Sequence, residues 1–278
     1  YINDKKVLYM KELFELLKIQ LNNAKLIIQL AKYNLKIEYS NHYLGMFWNI
    51  LQPLMQVAIY YVVFGLGLRG STAPNEEIPF IIHLITGLFP WLFISQAINT
   101  GSNALLSQLD LVTKMKFPSS TLLSISLTNS FINLLFTTLI IVAISIYQQY
   151  VSVFHYLEFI YFVFASYAII FGITLIMSTL IVMVRDLKNV LQNIIRMGFF
   201  LTPIFWQIET VNPLFQKIVA LNPFAYLVGI YRNAFIHGDK FIYGAPTEHL
   251  YFWTLTITLL VIGAIMHKKF NAKLIDYL

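Results

Sequence analysis

The chain has 278 residues, 58% of them hydrophobic and only 12% charged, with a formal net charge of +6. A soluble domain carries about twice that charged fraction, and one core of this size cannot hide so much apolar surface, so lipid must cover part of it. The composition excludes a soluble enzyme and a disordered tail, and zero cysteines exclude disulfides, thiolate metal sites and cysteine nucleophiles.

The first segment, 1–47, is Lys-rich and has a helical period. Lys11, Glu15, Lys18, Asn22, Lys25, Gln29, Lys32 and Lys36 recur in alternating steps of four and three and form one polar stripe. Leu13, Leu16, Leu17, Ile27, Ile28, Leu30 and Leu35 fill the rest. The pattern predicts an amphipathic helix, about 39 Å long if continuous, lying in the headgroup layer as an anchor or as an anchor that also docks a partner. The segment has no short apolar core followed by small residues, so no cleavable leader is expected in it.

Apolar stretches near the roughly 20 residues that a bilayer core requires follow at 48–68, 80–106, 120–146, 157–184, 189–206 and 250–267. They predict an all-α, polytopic membrane protein of six spans, with residues 48–278 as one transmembrane unit. Both ends inside places fifteen of the nineteen Lys and Arg residues on the inner face and leaves Arg69, Lys217, Arg232 and Lys240 outside. That asymmetry fixes the orientation and explains the basic balance without nucleic acid.

The spans carry amides at helical spacing. In the first, Asn49, Gln52, Gln56 and Tyr60 make one stripe; in the second, Gln96, Asn99 and Asn103 lie beyond Pro90. The third repeats the pattern with Ser126, Asn129, Asn133 and Thr137. Uncharged amides at membrane depth need partners or water, so the stripes are either interhelical hydrogen bonds or the lining of a hydrophilic path. Arg196, about 12 Å into the fifth span, either snorkels to the inner headgroups or meets an anionic group.

Two inner loops stand out. Residues 107–118 offer Leu109, Leu111, Val112 and Met115 as apolar knobs beside Asp110, Lys114 and Lys116, and Pro118 resets the chain; this is a connector or a docking helix. Arg185 and Asp186, in the next inner loop, suit helix ends. Beyond the fifth span, 211–236 is apolar but broken at Asn212-Pro213 and Asn222-Pro223. Its pieces of about 10 and 14 residues reach roughly 15 and 21 Å, short of a core of about 30 Å. Two helices dipping into the outer leaflet are expected, with Pro213, Asn222, Pro223, Tyr231 and Arg232 as gate residues. His83, His155, His237 and His249 are scattered without ligand spacing, so no metal is assigned. There is no G-x-x-x-x-G-K-[ST] loop and no string of intramembrane acids, so any pumping relies on another chain.

Several short motifs occur in a familiar order. Tyr43-Leu44-Gly45-Met46-Phe47-Trp48, with Gln52-Pro53 and Tyr60-Tyr61-Val62-Val63-Phe64 behind it, resembles the first span of the polysaccharide-export ABC transporter permeases. Lys116-Phe117-Pro118 is similar to the entry to their third span, and Val184-Arg185-Asp186 to their loop between spans four and five. Pro203-Ile204-Phe205-Trp206, then Leu221-Asn222-Pro223-Phe224 and Tyr231-Arg232, resembles their outer re-entrant section. The run Val63-Phe64-Gly65-Leu66-Gly67-Leu68-Arg69 is most similar to the wall teichoic acid branch of that family.

The resemblance implies two copies of the chain joined to two ABC ATPase subunits, which hold the ATP and Mg; the chain itself holds no cofactor. It implies ATP-driven passage of a lipid-diphosphate-linked anionic glycopolymer, teichoic acid, across a bacterial plasma membrane, with residues 108–116 as the coupling helix. O-antigen or capsular polysaccharide is the alternative cargo, and a gated pore or structural subunit the more distant reading. The Lys-, Ile-, Asn- and Phe-rich composition hints at a Gram-positive source.

Overall fold

Every element is helical in the computed structural model, which describes residues 2–40, 43–68, 78–115, 117–237 and 242–273. The amphipathic N-terminal segment is two helices, α1 (Ile2–Asn22) and α2 (Ala24–Ser40), rather than one continuous rod. They meet at Asn23, where Ile19 O accepts both the Asn23 backbone N–H at 3.1 Å and its side-chain Nδ2 at 2.8 Å. On α2, Ile27, Ala31 and Leu35 are buried at four-residue steps, whereas Lys25, Gln29, Lys32 and Lys36 are exposed.

Among the described residues five helical spans are long and apolar enough to cross a membrane: Gly45–Gly67, Phe80–Ser107, Ser119–Gln148, Val153–Met183 and Pro246–Phe270. The first contains α3 (Trp48–Tyr60), which runs on as a wider π-helical stretch, Tyr61–Leu68. The others correspond to α4 (Phe80–Ser107), α6 (Ser119–Gln148), α7 (Tyr156–Met183) and α11 (Pro246–Lys273), with α5 (Leu109–Met115) between α4 and α6. In α4, 78% of the apolar window is buried, against 11% for the first span, so α4 is the axis of the bundle and α3 lies on its flank. The α7–α11 crossing is close because glycines face it. A Cβ on Gly263 would lie 2.8 Å from Leu175 Cβ, and one on Gly172 would lie 3.1 Å from the Leu260 nitrogen.

The expected fifth span, 189–206, is shorter than the sequence suggested. Its helix, α8 (Leu187–Leu201), has 15 residues and reaches roughly 22 Å. Thr202 is extended at φ −97° and ψ 135°, as the residue before Pro203 must be. The chain still travels the length of the bundle here. Leu187 follows closely on the end of α7, whereas Phe205 stacks on Phe64, at the far end of the first span, with ring centres 4.3 Å apart. The next two helices, α9 (Pro213–Ala220) and α10 (Pro223–Arg232), meet at a 91° bend and do not cross. Tyr226 of α10 packs on Phe252 near the start of α11, with ring centres 4.8 Å apart, and Arg232 reaches His83 near the start of α4. Both ends of α10 therefore stay at one end of the bundle, as a re-entrant pair does.

The opposite end is tied together by polar contacts. Gln20 donates from Nε2 to Ser120 Oγ at 3.0 Å and accepts from Ser124 Oγ at 2.7 Å, fastening α1 to the first turns of α6. Lys268 lies 3.2 Å from Glu15 and 3.6 Å from Glu12, joining α11 to α1. The buried His267 pairs its Nε2 with Ser119 Oγ at 2.8 Å.

Candidate functional site

Three helices enclose a cavity of about 310 Å³ in the flank of the bundle. From α3 come Asn49, Gln52 and Gln56; α4 adds Ser95, Gln96 and Asn99; α6 adds Ser130, Asn133 and Thr137. Six of the eight residues expected along a hydrophilic path thus line one space. Helical spacing put each set on one face, and the packing of α3 and α6 beside α4 turns the three faces toward one another. Gln52 and Gln96 are exposed at its open side.

The other two lie elsewhere. Tyr60 sits one turn beyond Gln56 and packs its ring 5.3 Å from that of Phe199, outside the cavity lining. Arg196 is exposed on α8, away from the lining. Glu38 and Trp48 do line the space, although neither belongs to the amide pattern that marks the path in the sequence. Glu38 lies near the end of α2, and Gly45, at φ +50°, precedes α3.

Several amides at or beside the cavity keep an atom without a partner among the described residues. Asn99 donates from Nδ2 to Ser95 O at 3.0 Å, along its own helix, and its buried Oδ1 has no partner. Buried Oδ1 atoms of Asn103, Asn129 and Asn133 are likewise without a donor. The side-chain amides of Gln52, Gln56 and Gln96 make no hydrogen bond among the described residues. This is the opposite of an interhelical hydrogen-bond zipper, in which such groups satisfy one another. Among the described residues Glu38 is the single charged side chain in the lining.

The re-entrant segment is built by its two Asn-Pro pairs. Asn212 and Asn222 each cap a helix, accepting from Leu214 N at 2.9 Å and Phe224 N at 3.0 Å, and Pro213 and Pro223 take the first helical positions. Asn222 also donates from Nδ2 to Thr202 Oγ1 at 3.0 Å and to Leu201 O at 3.4 Å, supplying partners where α8 unwinds. Tyr231 is fully buried and its hydroxyl meets Thr138 Oγ1 at 2.8 Å. Arg232, also buried, donates from Nη2 to Ile204 O at 2.7 Å and His83 O at 3.2 Å. Glu158, at the start of α7, accepts from Asn233 Nδ2 at 2.6 Å and from the Tyr243 nitrogen at 2.7 Å. The five expected gate residues therefore sit in one segment, held by contacts to α4, α6 and α8.

At the other end, α5 turns its apolar side inward. Val112 is buried, and Leu109 and Leu111 are partly buried against the bundle's own core. The knobs expected to fill a partner's groove thus serve largely to seat the helix. Its exposed side carries Asp110 and Lys114, paired at 3.6 Å. Lys116 and the side chain of Met115 lie outside the described residues. Arg185 and Asp186 are both exposed between α7 and α8, with the Asp186 carbonyl accepting from Asn189 N at 3.0 Å. Among the described residues no cluster of His, Asp or Glu is arranged to hold a metal.

A family model described as ABC-2 type transporter matches residues 25–236. The chain is 29% identical over 213 residues to the O-antigen export system permease protein RfbA of Myxococcus xanthus, covering 76% of this chain and 80% of that protein. It is 27% identical over 214 residues to a protein of the same description from Klebsiella pneumoniae, covering 77% of this chain and 81% of the relative.

Proposed function

Because the chain belongs to the ABC-2 type transporter family, we propose that it is the membrane-spanning subunit of an ATP-driven exporter that moves a lipid-linked polysaccharide of the O-antigen or capsular kind. The observation that carries this reading is the amide-lined cavity on one flank, in a chain with no phosphate-binding loop of its own. The names of the relatives favour O-antigen export over the teichoic acid reading drawn from Val63–Arg69.

In this reading two ATPase subunits, holding ATP and Mg, dock on the face bearing α5, with Asp110 and Lys114 in the contact and Arg185 and Asp186 beside it. A second copy of the chain faces the open side of the cavity, covering the sparsely buried first span and the exposed row Val190, Ile194 and Met197 on α8. Gln52, Gln56 and Gln96 hydrogen-bond the passing polymer. The α9–α10 segment stands at the exit, and its displacement, through Tyr231 and Arg232, opens the outer end. The chain sits in a bacterial plasma membrane, both termini cytoplasmic.

The test is reconstitution of the chain with its companion ATPase in vesicles. Transfer of a lipid-linked glycan to the far leaflet, read by accessibility to a glycan-cleaving enzyme, should require ATP hydrolysis. Transfer by the chain alone, or none with the pair, overturns the proposal.

A further inference from the structure

The cavity's chemistry reaches further than its hydrophilicity. Taking the exporter function as its basis, we infer that the space between α3, α4 and α6 receives an uncharged, hydroxyl-rich stretch of glycan and discriminates against a polymer carrying phosphate in its repeat.

The first ground is charge. Among the described residues no Lys or Arg lines the cavity, and the one charged side chain among them, Glu38, is an anion. Glu38 makes no ion pair among the described residues, so its charge faces whatever enters. An anion moved out of bulk water needs a paired cation as well as hydrogen bonds, and the described lining offers no cation; a phosphodiester entering it would lose hydration and meet repulsion from Glu38. Among the described cations, Lys25, Lys32 and Lys36 lie on the exposed stripe of α2 and Arg196 on the exposed side of α8.

The second ground is the balance of donors and acceptors. A side-chain amide offers both, as does a sugar hydroxyl, whereas an ionised phosphodiester only accepts. The side-chain amides of Gln52, Gln56 and Gln96, which have no hydrogen-bond partner among the described residues, can donate to and accept from sugar hydroxyls, whereas a phosphodiester uses only their N–H groups. Trp48 adds an aromatic surface for an apolar sugar face, and the volume of about 310 Å³ falls at the lower edge of ligand pockets, about 300–1,000 Å³. The preference concerns the sugar chain and not its lipid diphosphate.

The experiment uses the chain with its ATPase in vesicles and two synthetic cargoes of equal length on the same lipid diphosphate. One is a neutral hexose polymer and the other a polymer joined by phosphodiesters. The neutral cargo should cross at least tenfold faster. Replacing the exposed Gln52 and Gln96 by Lys should shrink that preference at least threefold by supplying the missing cations. Equal rates, or a faster phosphodiester cargo, overturn the inference and leave the exporter reading standing. Failure of both cargoes overturns the exporter reading and the inference with it. A Glu38→Gln variant with unchanged preference, together with an ineffective double Lys variant, removes charge as the cause and also overturns it.

Discussion

At the scale of single residues, the end of the bundle bearing α9 and α10 is held by one buried guanidinium. Arg232 gathers the start of α4, the unwound stretch after α8 and the end of α10 through the carbonyls of His83 and Ile204. His83 O also accepts from Thr86 Oγ1 at 3.1 Å, but a buried carbonyl such as Ile204 O, deprived of its donor, costs about 1–3 kcal/mol, so this contact constrains the segment. It depends on a gap in α4. A Cβ on Gly87 would stand 2.4 Å from Arg232 Nη2, 2.8 Å from Ile204 O and 3.0 Å from Ile204 Cα. Backbone atoms cannot retreat as a flexible side-chain tip can, so Gly87→Ala must push the extended stretch or the guanidinium away. Overpacking of this kind costs about 1–3 kcal/mol. The variant should lower the melting temperature of the detergent-purified complex by several degrees. It should also make the α9–α10 segment cleavable by protease, whereas wild-type behaviour in both measurements would remove Arg232 as the clasp.

At the scale of elements, α5 separates a seating face from a docking face. Its apolar side chains hold it to the bundle, so substitution of Leu111 or Val112 disturbs folding and docking together. Asp110 and Lys114 give the cleaner probe, because an exposed ion pair one helical turn apart contributes only about 0.3–0.5 kcal/mol to stability. Reversing both charges, with Asp110→Lys and Lys114→Asp, preserves that pair and changes the surface pattern. The purified variant should melt like the wild type but retain its ATPase at least fivefold less well in a pull-down; undiminished capture would place the ATPase elsewhere. This division was not legible in the sequence, since Leu109, Leu111 and Val112 read alike whether they face a partner or their own core. The amide stripes were legible because three- and four-residue spacing is a local property. Their convergence on one cavity, and the inclusion of Glu38, depend on how α2, α3 and α6 pack. The end of α8 was legible in principle at Pro203, and the apolar run through Phe205 and Trp206 concealed it. Asn23 carried a similar signal, hidden by the unbroken polar stripe around it.

At the scale of the whole molecule, the contacts support a chain that traverses the bundle six times. Lys268 at the end of α11 meets Glu12 and Glu15 of α1, so the first and last described helices share one end. That end also holds α5 and the exposed Lys18, Lys25, Lys32, Lys36, Lys114 and Lys188, the distribution expected of a cytoplasmic face. Among the described residues five spans are long enough by themselves, and we propose that the sixth passage falls to α8 with its extended continuation to Phe205. If α8 turned back instead, α9, α10 and the start of α11 would lie on the same side as Asp186. The sequence contains no cysteine, so each introduced thiol is unique. Leu214 on α9 and Ala245 before α11 are exposed at one end; Lys18 and Asp186 are exposed at the other. Single cysteines at Leu214 and Ala245 should react with a membrane-impermeant maleimide added to intact cells that also express the ATPase. Those at Lys18 and Asp186 should react only after permeabilisation, with at least a tenfold contrast in labelling. Labelling of Asp186→Cys and Leu214→Cys from the same side would mean that α8 does not cross. The cavity would then open on a five-span subunit whose two termini lie on opposite faces.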